Sequence, residues 1–273
     1  MTANLMLAII ALLAAGIGAG FAGGLFGIGG GFVVVPALAL VLPLLGGDKI
    51  EYAHVAIGTS LATIVVTSLR SVQAHAKRGA VDFDMLKSWA PWIVLGVGAG
   101  VVLAAYVPGK VLMLIFGIGM MLMAVHFLFP LLSGRQLATS LPGGAARAGI
   151  AGGLGAFSSL LGIGGGTIAI IVMTLCGKSI HRAIATASGI GFIIAVPGMI
   201  GFMIIGSGKH GLPYGSLGYV NLPAAVAITA TSILAAPIGV AAAHKLSPEL
   251  LRRIFGLYLL FVGVTMIRNG LMS

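Results

Sequence analysis

The chain has 273 residues, of which 59% are hydrophobic and 7% charged, where an ordinary soluble domain carries roughly a quarter charged residues. That composition excludes a soluble domain, which could not wet so apolar a surface. The formal net charge of +10 does not indicate nucleic acid, because the basic residues stand singly or in pairs at the ends of apolar runs, the pattern of membrane topology.

Ten apolar segments follow one another along a single membrane domain, 1–273. The first runs from Leu5 to Gly24. It has the small residues of a signal peptide but lacks a basic start, and a related stretch recurs near Gly149, so it reads as retained structure. Next come Phe32 to Leu45, Ala53 to Ala74, Met85 to Val107 and Val111 to Leu132. Then follow Ala146 to Leu161, Thr167 to Cys176, Ala183 to Ile205, Val220 to Ala243 and Leu250 to Leu271. Most approach the ~20 residues that cross a bilayer, but the second segment and the seventh are too short. The 44 glycines point to close helix packing or broken helices, since each costs a simple helix about 1 kcal/mol relative to Ala. The single Cys176 excludes an internal disulfide.

The segments repeat. Gly27-Ile28-Gly29-Gly30-Gly31 reappears as Gly162-Ile163-Gly164-Gly165-Gly166, each time ahead of a short segment. His54-Val55-Ala56-Ile57-Gly58-Thr59-Ser60 matches His181-Arg182-Ala183-Ile184-Ala185-Thr186-Ala187 at four of seven positions. The chain therefore reads as an all-α polytopic membrane protein of two repeats, 1–140 and 141–273. Each is a broken helical hairpin, with its glycine turn inside the membrane, followed by three spanning helices. Three crossings per repeat invert the second relative to the first, as in many secondary transporters.

One face then collects Arg70, Lys77, Arg78, Lys87, Arg135, Arg147, Lys178, Arg182, Lys245, Arg252 and Arg253, and the other only Lys49, Lys110, Lys209 and Arg268. The positive-inside rule puts the first face in the cytoplasm of an inner (cytoplasmic) membrane and both termini outside.

Backbone groups cannot be left unpaired in hydrocarbon, so a glycine run at membrane depth must be buried in protein or line a wet cavity. Free N–H groups at a helix start, with the positive end of its dipole, make an anion site without a charged side chain. Gly29, Gly30, Gly31 and Phe32 in one repeat, with Gly164, Gly165, Gly166 and Thr167 in the other, are the expected clamp for a small anionic substrate. The bland reading is that both runs simply allow close helix crossing. Thr59, Ser60, Thr186 and Ser188 add hydroxyls that could donate to an oxyanion or bond back to their own helices. Arg70 and His75, near the end of the third segment, are candidate anion-attracting groups; Arg70 could equally snorkel to the headgroups, and His75 could be a packing residue.

All five acids, Asp48, Glu51, Asp82, Asp84 and Glu249, fall in or beside loops. A cation or metal path, which needs acidic or paired His ligands within the spans, is thus disfavoured. A membrane-embedded enzyme is disfavoured too, since no nucleophile motif or HExxH site occurs, and no Gly-x4-Gly-Lys-Ser/Thr motif signals ATP use. No cofactor, metal or nucleic-acid partner is implied; the partners are the anion and the bilayer, and the oligomeric state is not legible.

The duplicated GIGGG before a short helix, the Ala-Ile-Gly-Thr-Ser element at 56–60, and His75-Ala76-Lys77-Arg78-Gly79-Ala80-Val81-Asp82 ahead of the next span resemble the TauE/SafE sulfite exporter family over essentially the whole chain. The resemblance implies transport of sulfite, sulfonates such as sulfoacetate, or related sulfur-containing anions across the cytoplasmic membrane. Ala187 in place of a second Ser60 departs from equal hydroxyl donation by the two halves.

Overall fold

The computed structural model describes residues 2–26, 30–129, 136, 138, 140–243 and 247–272. Gly27, Ile28, Gly29, Arg135, Lys245 and the end of the fifth predicted segment lie outside the described residues.

The apolar runs fold as α1 (Thr2–Phe26), α2 (Gly31–Val41), α3 (Tyr52–Ala76), α4 (Phe83–Tyr106) and α5 (Gly109–Leu128). The second set gives α6 (Gly144–Leu161), α7 (Gly166–Leu175), α8 (Ile180–Ile205), α9 (Leu222–Ala243) and α10 (Pro248–Met272). Seven of these helices are long and apolar enough to cross a membrane, which makes the chain an all-α polytopic membrane protein. The short pair, α2 and α7, has 11 and 10 residues, about 15 Å each or half a bilayer.

Two details differ from the expected segments. Helix α2 stops at Val41 and tightens into a 3₁₀ turn, Leu42–Leu45, because Pro43 has no N–H to continue the ladder. Ahead of α9 a small hairpin forms, β1 (Ser216–Leu217) on β2 (Val220–Asn221). It turns at Gly218, whose φ of 54° suits glycine.

The helices pair in a pattern that is unchanged when the halves are exchanged. Helix α1 lies on α9 as α6 lies on α4, while α3 pairs with α8 and α5 with α10. Lipid tails are as apolar as Leu, so such pairs are held by close backbone approach and by hydrogen bonds rather than by the hydrophobic effect. Ser232 Oγ donates to the Gly16 carbonyl at 2.9 Å and Thr231 Oγ1 to that of Leu13 at 3.0 Å, joining α9 to α1. On the other side, Gly96 of α4 lies directly against the Gly152 backbone of α6. Helices α3 and α8 form the centre, with 56% and 44% of their spans buried, against 28–39% for the other five spans. Large apolar side chains such as Leu95, Leu103, Leu122, Leu234 and Phe261 point outward from α4, α5, α9 and α10, the surface a bilayer would cover.

The loops gather at two ends. At one, Asp48 N–H donates to Gly211 O at 2.7 Å, and Gly109 approaches the Ile50 carbonyl. This end carries Lys49, Lys110 and Lys209. At the other, Asp82 meets Lys178 and Arg182, and Ala138 N–H donates to Leu175 O.

The α4–α6 contact gives a direct test. Gly96→Leu should abolish correct assembly, because even a Cβ there has no room. Gly98→Ala, on the outer face of the same helix with nothing within 4 Å of a new Cβ, should leave stability within about 1 kcal/mol. Thermal unfolding of the two variants in detergent separates these outcomes.

Candidate functional site

Each short helix begins at a glycine in the left-handed region, Gly30 with φ 70° and Gly165 with φ 65°, a conformation that a Cβ makes costly. The break in the second half can be followed residue by residue. Helix α6 closes with Gly162 (φ 63°), whose N–H donates to Ser159 O, while Ile163 N–H donates to Ser158 O. These two bonds form the Schellman arrangement that ends a helix at glycine. Gly165 then starts α7, its carbonyl accepting from Ala169 N–H at 3.0 Å. In the first half the Gly30 carbonyl accepts from Val33 and Val34. Among the described residues no side chain caps either start, so the N–H groups at the head of α2 and α7 have no capping partner there.

The two breaks meet. A Cβ on Gly31 would lie 2.8 Å from Gly162 O and 3.0 Å from Ile64 Cδ1. Ile64 is the central residue of α3 (Tyr52–Ala76). Gly164 packs against Gly191, near the middle of α8 (Ile180–Ile205). Both breaks therefore sit at the mid-depth of the central pair, and Ser60 on α3 fixes them by donating to Gly162 O at 2.8 Å.

The remaining predicted residues divide. Thr167 lies in the break, 4% exposed, with its hydroxyl unpartnered. Phe32, its counterpart, is packed edge-on against Phe255 at 5.9 Å, and its carbonyl accepts from the Tyr258 hydroxyl. Thr59 and Thr186 are placed in equivalent joints at opposite ends: Thr59 Oγ1 accepts from Asn221 N–H at 2.9 Å, and Thr186 Oγ1 from Asp82 N–H at 3.0 Å. Ser188 pairs with Ser71 across α3 and α8 at 2.8 Å.

Arg70 is exposed and His75 half-buried. They lie six and eleven residues beyond Ile64, about 9 and 16 Å along the helix, so the structure does not bring either to the break. His75 instead lends its carbonyl to Arg78 and Ala80 N–H, closing α3 at Gly79.

Sequence reasoning missed Ser158, fully buried with no partner for its hydroxyl. It also missed Gly191. The signal for Ser158 was its position four residues before the GIGGG run, at the last turn of α6.

Asp82 and Asn221 each cap the helix that follows. Asp82 Oδ1 accepts from Met85 N–H at 3.1 Å and Asn221 Oδ1 from Ala224 N–H at 3.0 Å. Only Asp82 is charged, and its Oδ2 lies 3.5 Å from Lys178 Nζ and 3.4 Å from Arg182 Nε. Burial by itself would raise the Asp82 carboxyl, but the Met85 N–H and the charges of Arg182 and Lys178 outweigh it and hold it below the ordinary Asp range.

Seven apolar spans around two half-length helices whose breaks meet at mid-depth make this a multi-pass membrane protein. The family model for the sulfite exporter TauE/SafE matches residues 12–266. The chain belongs to the TauE/SafE family. It is similar to a probable membrane transporter protein of Haemophilus influenzae, 34% identical over 94% of this chain and 97% of that one. Probable membrane transporter proteins of Methanocaldococcus jannaschii and Bacillus subtilis (YunE) are 27% and 28% identical, covering 94% and 98% of this chain and 94% and 100% of theirs. No solved structure matches the chain.

A carboxyl with a lowered pKa stabilises the fold above its unfolded pKa, and that contribution is lost as pH falls through the lower folded value. Asp82→Asn should therefore lower the unfolding temperature at neutral pH. The gap between wild type and variant should close only in acid, below the ordinary Asp range, as measured by thermal unfolding across pH.

Proposed function

We propose that this transporter exports a small sulfur-containing anion, sulfite or an organosulfonate such as sulfoacetate, by alternating access. The substrate sits where the two glycine breaks face each other. The observation that carries this reading is the approach of Gly31 to Gly162 at the centre of α3. It brings the uncapped start of α2 against the second break, which leads into the uncapped start of α7, in an interior without a described carboxylate; this supports an anion over a cation. The family to which the chain belongs supports sulfur oxyanions as the class.

In this reading residues 1–140 and 141–273 are inverted repeats that rock about the α3–α8 pair. The end with Lys77, Arg78, Lys178 and Arg182 faces the cytoplasm, both termini lie outside, and Arg70 and His75 draw anions toward the inner mouth. An interior-negative potential favours exit of a monoanion by about 2.3 kcal/mol per 100 mV, nearly fiftyfold in concentration ratio.

Purified protein in liposomes should move radiolabelled sulfite or a sulfonate; failure to move or bind any sulfur anion overturns the proposal. Gly165→Val and Gly30→Val should abolish transport. Gly165 has Ile194 Cδ1 and Ser158 Oγ within 2.8 Å of a new Cβ, and Gly30 has Ala19 O at 2.9 Å. Normal flux from correctly inserted variants would show that the breaks do not hold the substrate.

A further inference from the structure

Hydroxyls in apolar helices ordinarily donate to a carbonyl three or four residues back. Thr67, Thr174, Thr231 and Thr265 all do so here. Ser158 and Thr167 do not: both are buried, 0% and 4% exposed, and neither hydroxyl has a partner. Both belong to the second break. A Cβ on Gly165 would lie 2.8 Å from Ser158 Oγ, and Thr167 is the second residue of α7. When the two GIGGG runs are aligned, the matching residues in the first half are Gly23 and Phe32, which have no hydroxyl. The polar seat therefore exists once.

Every donor available at that seat is neutral. The charged groups and histidines on the helices around it stand well away, His181 at ten residues before Gly191 on α8 included, while the Tyr258 hydroxyl of α10 is taken up by the Phe32 carbonyl at 3.3 Å. Arg70 lies about 9 Å along α3 from Ile64. Arg182 lies nine residues before Gly191 on α8, about 13 Å away, and is engaged with Asp82, as is Lys178. Arg147 lies eleven residues before Ser158 on α6, about 16 Å away. His54 and His75 sit near the two ends of α3, ten and eleven residues from Ile64, and α2 carries no charge. Among the described residues, the positive potential built into the seat is that of the two helix starts, each equivalent to roughly half an elementary charge. Together they balance at most about one negative charge, and the C-terminal end of α6 at Gly162 lowers that sum. The cost of taking an ion out of water grows with the square of its charge, so a dianion pays about four times the penalty of a monoanion.

Accepting the sulfur-anion reading above, we propose that the α7 start is a monoanion seat. The N–H groups of Gly166 and Thr167 and the hydroxyls of Ser158 and Thr167 hold a singly charged sulfonate or hydrogensulfite head, while heads that carry two charges, dianionic sulfite and sulfate, are disfavoured. The first break contributes its dipole and closes the seat with Gly31.

Flux in proteoliposomes tests this, with methanesulfonate, a monoanion at all working pH values, measured beside sulfite, whose monoanion hydrogensulfite loses its last proton near neutrality. The ratio of sulfite to methanesulfonate flux should fall as pH rises through neutrality, and sulfate should not be carried. Taking the ratio cancels any titration of the protein itself. Ser158→Ala and Thr167→Val should each cut methanesulfonate flux about tenfold or more, Thr167→Ser should restore most of it, and ligand-free thermal unfolding should be unchanged. A ratio that is flat or rises with pH, or ready sulfate transport, overturns the monoanion seat while leaving sulfur-anion transport intact. Full flux from both hydroxyl variants overturns the assignment of the seat to Ser158 and Thr167. Absence of flux for every sulfur anion instead overturns the broader functional reading.

Discussion

A chain in hydrocarbon must satisfy its own backbone N–H and C=O groups, and everything distinctive here follows from the two places where continuous helix does not do so. At the second break part of that obligation is met on the carbonyl side. The α6 terminus is closed by its own Schellman bonds, and Ser60 reaches across from the first half to the Gly162 carbonyl at 2.8 Å. On the N–H side the start of α7 has no cap. N–H groups left open at a helix start are the donors that an anion can use.

The mid-depth position of that opening is set by packing. Glycines at 31, 162, 164 and 191 let α2, α6, α7 and the centre of α8 come within backbone distance of one another. The helix pairs outside them are arranged so that α3 and α8 can remain central while α1–α9 and α4–α6 flank them. The two joints at the ends are built to the same plan but from different chemistry. Thr59 holds the N–H of a neutral cap, Asn221, and Thr186 that of a charged one, Asp82, which also binds Lys178 and Arg182. A buried hydrogen bond between membrane helices contributes about 1 kcal/mol. The charged joint adds ion pairs to that, so the two ends differ in how firmly they are tied.

Much of this was legible in the sequence because glycine and apolar length are local signals. The ten segments, the short second and seventh, and the repeated GIGGG each follow from residues a few positions apart, and the helices fall within a few residues of the expected ends. The partners of hydroxyls were not legible. Nothing adjacent in sequence says that Thr59 meets Asn221 across 162 positions, or that Thr186 meets Asp82 across 104. The same ignorance hid Ser158, whose importance lies in a bond that it does not make. Arg70 and His75 drew attention as polar residues near a span, yet distance along a helix axis, readable from numbering alone, sets them about 9 and 16 Å from the centre of α3.

The halves differ where it matters chemically. Thr167 faces Phe32 in the alignment, Ser158 faces Gly23, and Ser60 faces Ala187. In the first half, Phe32 is locked into an aromatic cluster with Phe127, Phe255 and Tyr258, which fills the space that a second set of donors would need. Two equivalent seats at one depth would set like charges side by side, each raising the cost of the other. One half supplies buried hydroxyls and the other aromatic packing, so the two breaks are chemically unlike although both lie beside the centres of α3 and α8.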